Sequence, residues 1–324
     1  MHGDRLSQTD AGQCCELLLC DQANPIEVAG LLCALHARGE TVAELTGFLD
    51  TLRRHMTKVP LGDPRAVDLC GTGGDGSHSF NVSTAAALLA AACGAVVPKH
   101  GNRAVSSRCG SADVLEQLGI PLSLNPPDAE RCLRACGFAF LFAPHFHPAM
   151  KHVAPVRKAL GVRTLFNLLG PLANPAGVKR QLIGVYHARW LRPVAETLAQ
   201  AGSEFVITVH GDGGLDEVTP LGTTRYCQYY NGEITEGVWQ ASEWGLGPTS
   251  HHAVRGGDTT ANAARLRSVA QGNEPELSEW IIANCAPALV LSQRAADFRE
   301  GALMARASIH DGTFLRFLDK AAAA

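Results

Sequence analysis

The stretch that decides the fold runs from Ala66 to Gly101 and reads AVDLCGTGGDGSHSFNVSTAAALLAAACGAVVPKHG. Its first five residues, Ala66–Cys70, predict a short buried strand, and the alanine- and leucine-rich segment Ser83–Cys93 predicts a helix. A second apolar strand is expected at Ala95–Lys99. A strand, a glycine-rich turn, a helix and another strand in this order are typical of an α/β domain with a parallel sheet.

The alternation of strand and helix patterns continues beyond this stretch. Further strands are expected at Phe138–Phe142, Gln181–Tyr186 and Phe205–His210. The segment YYNGEI at residues 229–234 predicts a hairpin on Asn-Gly, so one edge of a mainly parallel sheet is expected to be antiparallel. Residues 260–324 have a mostly helical pattern. The sequence therefore predicts a central, mainly parallel sheet flanked by helices.

The N-terminal part of the chain has helix signals and no strand pattern. Asn24 can cap a helix that begins at Pro25 and ends before Gly39. The residues Thr41-Val42-Ala43-Glu44 form a capping box, which opens the next helix. An earlier helix is expected at about Thr9–Cys20. Three short helices of this kind predict a small all-helical module.

The length of the chain fits two domains, since 324 residues compare with a typical domain of about 150. A connector with proline and glycine at residues 59–64 ends the helical module. We therefore predict a helical domain at 1–63, completed by helices from about 148–170. The α/β domain is predicted to occupy residues 64–324.

Composition narrows the cellular setting and the partners. The formal charge is −3 and no basic run occurs, so no nucleic-acid partner is expected. The first ten residues, MHGDRLSQTD, are polar, and the longest apolar stretch, Ala85–Val97, is shorter than the roughly 20 residues that span a bilayer. A cytoplasmic protein with no membrane partner is expected. The eleven cysteines are odd in number and lack a C-x-x-C pair, which favours reduced thiols.

The glycine-rich loop at residues 71–76, GTGGDG, follows the first predicted α/β strand. Glycines allow a ligand to approach the backbone, and the amides at a helix start bind anions. A tight turn without a ligand explains the glycines equally well, and the loop matches neither a P-loop nor a dinucleotide fingerprint. The polar side chains that follow favour a phosphate or pyrophosphate site; they are Ser77, Ser79, Asn81, Ser83 and Thr84.

A second polar loop follows the next predicted strand. Residues 99–108, KHGNRAVSSR, carry a lysine, two arginines, an amide and two serines, and Ser111 then begins a helix. Loops at the carboxyl ends of adjacent parallel strands share one crevice. The two loops together predict a site for a polyanion.

Two further segments carry charged candidates. The loop at residues 211–217, GDGGLDE, holds Asp212, Asp216 and Glu217, and Mg²⁺ binds a few carboxylates together with substrate phosphates and water. A solvated acidic turn is the alternative for this loop alone. Arg157 could hold a ligand carboxylate in a bidentate fork, although an arginine on a helix is more often a surface residue.

Five segments in a fixed order resemble the motifs of the anthranilate phosphoribosyltransferase family. They are GTGGDGSHSFNVST at 71–84, KHGNRAVSS at 99–107, GSADVLEQLG at 110–119, PVRKALGVRTLFNLLGPLANP at 155–175 and GGLDEV at 213–218. The similarity extends from LLCALHARGET at 31–41 to GGDTTANAARL at 256–266. It implies a helical domain and an α/β domain of the nucleoside phosphorylase/phosphoribosyltransferase type, with the active site between them.

The resemblance also implies an activity. Enzymes of this family transfer the 5-phosphoribosyl group from phosphoribosyl pyrophosphate to the amine of anthranilate in tryptophan biosynthesis, using Mg²⁺. A homodimer formed through the helical part is expected. Catalysis would depend on Asp216, Glu217, Arg157 and Asn102.

By resemblance, the same motifs imply which residues bind each ligand. Phosphoribosyl pyrophosphate would be held by Gly71, Gly74, Asp75, Ser79, Asn81, Val82, Ser83, Thr84, Lys99, Ser107 and Ser111. Anthranilate would contact Gly71, His100, Asn102 and Arg157. Magnesium would be bound by Ser83, Asp216 and Glu217.

Three positions depart from the family pattern. Ser79 stands where threonine is frequent, which keeps the hydroxyl, and Cys109 stands where serine is usual. Ala261 replaces a common glutamate and is expected to lie far from the chemistry. The rival functions are a pyrimidine nucleoside phosphorylase-like enzyme and a non-catalytic ligand- or nucleic-acid-binding relative. Retention of both the glycine loop and the Asp-Glu pair disfavours these rivals.

Overall fold

The computed structural model describes residues 4–74, 76–77, 79–104 and 108–324. Three helices come first: α1 (Gln8–Leu18), α2 (Pro25–Arg38) and α3 (Val42–His55). Asn24 Oδ1 accepts the Ile26 N–H at 2.9 Å, and both bonds of the capping box between Thr41 and Glu44 are present. The predicted helical module and its helix starts are confirmed.

A five-stranded sheet forms the centre of the second part. Its strands are β1 (Val67–Gly71), β4 (Arg180–Gly184), β5 (Phe205–Gly211), β6 (Thr224–Tyr230) and β7 (Glu233–Trp239), in the spatial order β1-β4-β5-β6-β7. The pairs β1/β4 and β4/β5 are parallel, whereas β5/β6 and β6/β7 are antiparallel. The predicted hairpin turns at Asn231 and Gly232, which both have positive φ, so the antiparallel edge is confirmed.

Two strands lie beside this sheet on the β1 side. They are β2 (Val97–Gly101) and β3 (Phe138–Phe142), paired in parallel. The Val67 N–H donates to the Val96 carbonyl at 2.9 Å, so β2 adjoins β1 although the two sheets are separate ladders. Further along, Lys99 of β2 donates to the Leu69 carbonyl of β1, so the two strands run side by side and their carboxyl ends lie close together.

Helices cover the sheets on both faces. The helix α4 (Val82–Ala92) is buried along nearly its whole length and packs against β1 and the long helix α12 (Pro275–Leu291). The remaining helices of this part are α5 (Ser111–Gln117), α6 (Pro126–Cys136), α7 (Ala143–Phe146), α10 (Leu191–Gln200), α11 (Thr259–Ala270), α12 (Pro275–Leu291), α13 (Phe298–His310) and α14 (Thr313–Ala322). The mostly helical C-terminal pattern is confirmed.

Two helices in the middle of the chain join the N-terminal module. The helix α8 (Ala154–Leu160) packs on α2, and α9 (Leu165–Leu172) packs on α2 and α3. Their apolar residues share one buried cluster with those of the first three helices. We therefore propose that residues 1–63 and about 148–170 form one helical unit and that the α/β unit begins at residue 64.

The described residues were compared with the expectations for membrane helices and for disulfides. None of their helices is both long enough and apolar enough to cross a membrane. All eleven cysteines are free thiols. Burial raises the pKa of several of these thiols, including Cys15 and Cys227, to about 12 in both cases. These two cysteines therefore pack as small apolar residues.

Candidate active site

The acidic pair Asp216 and Glu217 lies against the glycine-rich loop and the start of α4. The Gly73 N–H donates to Asp216 Oδ2 at 2.7 Å, and the Ser83 N–H donates to Glu217 Oε1 at 3.1 Å. Asp216 is 8% exposed. The positive end of a helix stabilises a carboxylate, so Glu217 has a favourable place at the first turn of α4. The structure thus brings together the acidic loop and the glycine-rich loop.

Two strand-end glycines allow Asp216 to come this close. A Cβ atom on Gly71, at the end of β1, would lie 2.3 Å from Asp216 Oδ2. A Cβ atom on Gly184, at the end of β4, would lie 1.5 Å from the Asp216 carbonyl oxygen. No larger residue fits at either position without moving the acidic loop. Sequence reasoning missed Gly184, whose signal is a glycine at the carboxyl end of a predicted strand.

The helix α12 also holds the acidic loop, through two hydrogen bonds of Asn284. Asn284 Oδ1 accepts the Val218 N–H at 2.8 Å, and Asn284 Nδ2 donates to the Val218 carbonyl at 2.9 Å. Asn284, Glu217 and Ser83 line a cavity of about 10 Å³, which is close to the space of one water molecule. Sequence reasoning missed Asn284 because nothing local in α12 marks its partner 66 residues away.

The third carboxylate of the acidic loop, that of Asp212, is bonded to Thr223 and not to the glycine-rich loop. Asp212 Oδ2 accepts the Thr223 N–H at 2.7 Å and the Thr223 hydroxyl at 2.9 Å. These bonds lower the pKa of Asp212, which is exposed. Asp212 therefore closes the turn before β6, and the acidic set beside the glycine-rich loop consists of Asp216 and Glu217.

The starts of α4 and α5 are joined by polar side chains. The Thr84 hydroxyl is hydrogen-bonded to the Ser111 hydroxyl at 2.9 Å. Asn81 Nδ2 donates to the Cys109 carbonyl at 3.1 Å, and Asn81 Oδ1 accepts from Asn262 Nδ2 at 3.0 Å. The first polar segment and the end of the second polar loop are therefore one connected surface, as the shared crevice predicts.

The expectation that position 261 lies far from the chemistry is wrong. Its neighbour Asn262 bonds Asn81 directly and also accepts the Gly257 N–H at 2.8 Å. A Cβ atom on Gly257 would meet the Ala261 methyl at 2.9 Å, so this segment packs tightly beside the site. Ser79 forms an isolated bridge with Arg255 in the same region. Residues 255–262, which include the first turn of α11, are thus part of the wall around Asn81.

Lys99 is buried rather than presented to the crevice. It is 1% exposed, and its ammonium group donates to the Leu69 carbonyl of β1. Asp68 lies close by and accepts from Asn174 Nδ2 at 2.7 Å. Burial raises the pKa of Asp68 to about 6, against the lowering effect of the Lys99 charge. The Lys99 charge therefore lies beside the middle of β1, close to Asp68.

Two neutral histidines lie at the junction of β2, α7 and α9. His100 Nδ1 donates to the Gly170 carbonyl at 3.1 Å, and the rings of His100 and His147 are 5.0 Å apart. Burial lowers the pKa of His100 to about 3 and that of His147 to about 4. Each Nε2 is buried with no hydrogen-bond partner among the described residues. Since Nδ1 of His100 carries the proton, its Nε2 is a hydrogen-bond acceptor.

Arg157 lies on α8 with its guanidinium carbon 5.4 Å from the ring centroid of Phe166 on α9. Burial lowers its pKa, and it forms no ion pair with a carboxylate in the described part of the chain. Asn102 is exposed after β2, and its Oδ1 accepts the Arg103 N–H at 2.8 Å. Of the predicted donor residues, Val82 begins α4, and Asp75 and Ser107 lie outside the described residues.

The glycine-rich loop has a support that sequence reasoning also missed. The Tyr186 N–H donates to Thr72 Oγ1 at 3.0 Å. The Arg163 guanidinium carbon lies 4.1 Å from the Tyr186 ring centroid and also packs against Gly74. The signal was weak, because Arg163 lies within a quoted motif but neither spacing nor charge assigns it a partner.

Comparison with known proteins agrees with this arrangement. Residues 63–315 match the α/β domain of a glycosyl transferase family, and residues 1–56 match the helical bundle domain of such a family. The anthranilate phosphoribosyltransferase of Bradyrhizobium diazoefficiens is 46% identical over 310 residues, which cover 96% of this chain and 92% of that protein.

Solved structures give the same result. A crystal structure of the enzyme of that name from Thermus thermophilus has a TM-score of 0.92 and 39% identity, covering 99% of this chain and 96% of the other. The Saccharomyces cerevisiae enzyme in complex with phosphoribosyl pyrophosphate and Mg has a TM-score of 0.86 and 31% identity, covering 97% and 92%. The ordered motifs, the architecture and these matches agree, and the chain belongs to the anthranilate phosphoribosyltransferase family.

Proposed function

We propose that this protein transfers the 5-phosphoribosyl group from phosphoribosyl pyrophosphate to the amine of anthranilate in tryptophan biosynthesis. The products are N-(5-phosphoribosyl)anthranilate and pyrophosphate. The observation that carries the proposal is the convergence of Asp216 and Glu217 on the glycine-rich loop and the start of α4. This arrangement joins an anion-binding backbone to a pair of carboxylates, which suits a magnesium-bound pyrophosphate.

The donor site comprises the two polar loops and the two helix starts. We assign to it Gly71, Gly74, Asp75, Ser79, Asn81, Val82, Ser83, Thr84, Lys99, Ser107 and Ser111. The bond between Thr84 and Ser111 supports this assignment, because it places both helix starts on one surface. Lys99 contributes through its charge, since its ammonium group lies under β1. Backbone amides at the two helix starts add further positive potential.

The residues present fit a magnesium ion. Asp216, Glu217 and Ser83 offer oxygen ligands only, which Mg²⁺ prefers. Among the described residues no three His, Cys, Asp or Glu side chains are grouped to hold a metal by themselves. Substrate phosphates and water would therefore complete the coordination. When bound, Mg²⁺ neutralises charge that develops on the departing pyrophosphate.

The acceptor site faces Arg157. A guanidinium group that is partly desolvated and lacks a carboxylate partner in the described chain suits the carboxylate of anthranilate. We also assign Asn102 and Gly71 to this site, on the resemblance of their motifs. We also assign His100 to this site, where the bond of Nδ1 to the Gly170 carbonyl fixes the neutral ring near the end of β2.

The reaction then requires little proton transfer from the protein. The bond from the anomeric carbon to the pyrophosphate oxygen breaks, and the amine lone pair forms the new carbon–nitrogen bond. The amine nitrogen loses one proton as that bond forms, and the proton passes to the departing pyrophosphate or to water. An arylamine is neutral at pH 7, so positioning and electrostatic stabilisation supply most of the catalysis.

We further propose that the protein is a cytoplasmic homodimer assembled through its helical unit. Leu17 on α1 and Ile26 on α2 support this, because they are 67% and 81% exposed. Large apolar side chains so exposed on one unit favour contact with a second copy. Sedimentation equilibrium of the intact protein and of an L17E/I26E variant tests the dimer, which the variant should weaken.

The direct test of function is the fluorescence of anthranilate mixed with the protein, phosphoribosyl pyrophosphate and magnesium. We expect the signal to fall only when all components are present and to persist when a chelator is added. A persistent signal in the complete mixture would contradict the proposal. Release of a free base from a pyrimidine nucleoside by inorganic phosphate would instead support the phosphorylase alternative.

A further inference from the structure

Arg163 lies between the glycine-rich loop and an aromatic ring. Its guanidinium carbon is 4.1 Å from the ring centroid of Tyr186, which is a close cation–π contact. On its other side is Gly74, where a Cβ atom would lie 3.1 Å from Arg163 Nε and 3.2 Å from Nη2. The edge of the guanidinium therefore occupies the space next to the loop backbone.

Tyr186, whose ring contacts Arg163, is itself fixed by two hydrogen bonds, one at its backbone and one at its hydroxyl group. The Tyr186 N–H donates to Thr72 Oγ1 at 3.0 Å, and Trp190 Nε1 donates to the Tyr186 hydroxyl oxygen at 2.9 Å. Trp190 is 3% exposed, and Thr72 is 8% exposed. Tyr186 is thus a rigid support that reaches the loop twice, through Thr72 and through Arg163.

The opposite side of the loop is held by Asp216, which accepts the Gly73 N–H. Gly74 has a φ of 71°, a conformation that favours glycine, so the loop carries no side chain of its own here. Arg163 takes that place from another element. Within residues 4–74, 76–77, 79–104 and 108–324 it forms no ion pair, and its Nε and Nη2 lie next to Gly74.

We propose that Arg163 is a positioning residue for the donor site. Stacked on Tyr186, it holds Gly74 so that the loop amides face the pyrophosphate group of the donor. This inference rests on the proposed function for the identity of the donor, and it adds a residue that acts through the loop. Its effect falls on binding of the donor and not on binding of anthranilate.

The chain offers a matched control in the same cleft. Arg163, Tyr186 and Arg189 line one cleft, which has a volume of about 460 Å³. The guanidinium carbon of Arg189 lies 5.0 Å from the ring centroid of Trp190. None of the described glycines of the loop has Arg189 next to it. R189M therefore removes a stacked, exposed arginine without touching the loop.

The experiment measures KM for both substrates and kcat for R163M, R163K, Y186L and R189M. We expect R163M to raise KM for phosphoribosyl pyrophosphate about tenfold, with KM for anthranilate within about twofold. R163K should behave similarly, because an ammonium group lacks the planar face that stacks between ring and loop. R189M should match the unchanged protein.

A double-mutant cycle separates positioning from direct contact with the donor. R163M and Y186L should be non-additive, because each breaks the same support. Additive effects, a KM for the donor within about twofold in R163M, or an equal rise in R189M would overturn the inference.

Calorimetric titration with magnesium pyrophosphate gives a readout that does not need turnover. Affinity should fall about tenfold in R163M and R163K and remain unchanged in R189M. If the unchanged protein binds magnesium pyrophosphate and R163M loses this affinity, the loop inference stands even where anthranilate turnover fails. Equal affinity in all three variants would overturn it.

Discussion

The donor side and the acceptor side of the crevice handle charge in opposite ways. On the donor side, Asp216 and Glu217 each accept a backbone N–H, from Gly73 and Ser83. On the acceptor side, Arg157 is partly desolvated and has no carboxylate partner within the described residues. One side holds anions in place with neutral donors, and the other keeps a cation without an opposite charge.

We relate this difference in charge to the ligand proposed for each side. A carboxylate held by peptide dipoles keeps its negative charge and can share it with a cation that arrives with the substrate. A guanidinium whose burial lowers its pKa gains most from a ligand that restores a full opposite charge. We therefore propose that the donor side suits a magnesium-bound polyanion and that the acceptor side suits a single carboxylate.

The largest expected effect comes from neutralising the donor-side anions. D216N keeps an oxygen that can accept the Gly73 N–H but removes the charge, and D216N/E217Q removes both charges. We expect kcat/KM at saturating magnesium to fall about a thousandfold or more in the double variant, because the developing negative charge loses its magnesium partner. Steady-state kinetics over a magnesium titration measure this loss.

Asp212 provides the control from the same acidic loop. D212N removes an exposed carboxylate whose partner is Thr223, so turnover should remain within about twofold while thermal stability falls slightly. A double variant that retains turnover at saturating magnesium would contradict the assignment of Asp216 and Glu217 to the metal.

A smaller effect is expected on the acceptor side. R157M should raise KM for anthranilate about ten- to a hundredfold, because it removes a charge-assisted pair with the ligand carboxylate. KM for phosphoribosyl pyrophosphate should change little. The sharper readout is the preference for anthranilate over anthranilamide, which R157M should abolish.

Lys158 is the matched cation for this test, since it is exposed on the next position of α8. K158M should keep both the KM values and the preference for the carboxylate. If R157M retained the preference, the acceptor carboxylate would lie elsewhere and the contrast between the two sides would fail.

Local signals account for the part of the fold that the sequence predicts well. Asn24, Thr41 and Glu44 cap helices through neighbours two or three residues away, so their patterns are visible without the fold. The Asn231-Gly232 turn is local in the same sense. The glycine-rich loop and the acidic pair were recognised because each lies within one short segment.

Long-range partners account for what the sequence does not predict. Gly184 has to be a glycine because the Asp216 backbone, which belongs to a different loop, packs directly against it. Asn284 has a structural role because it bonds the backbone of Val218, which is far from it in the sequence. The predicted location of Ala261 was wrong for the same reason, because the hydrogen bond between its neighbour Asn262 and Asn81 exists only in the folded chain. The burial of Lys99 also depends on the fold, because its ammonium group donates to the Leu69 carbonyl of another strand.

The smallest expected effect concerns acid stability on the acceptor side. Burial lowers the pKa of His147 to about 4 and that of His100 to about 3, so both stay neutral in the folded state while they protonate below about pH 6.5 once unfolded. Stability is therefore present above pH 6.5 and is lost as the pH falls towards 4. Asp68 acts in the opposite sense, because its raised pKa of about 6 lets the folded state take up a proton first.

Between pH 6 and pH 4 the unfolded chain thus carries protons on His100 and His147 that the folded chain lacks, while the folded chain carries one on Asp68. H147Q removes one of the first two, so the free energy of unfolding should fall less steeply with acid, by about 1.4 kcal/mol per pH unit. Urea unfolding at several pH values measures the slope, which does not depend on any constant loss of stability in the variant. H252Q, at an exposed position, should keep the original slope. Equal slopes in H147Q and the unchanged protein would mean that His147 is protonated in the folded state, and the junction of β2, α7 and α9 would then carry a buried cation.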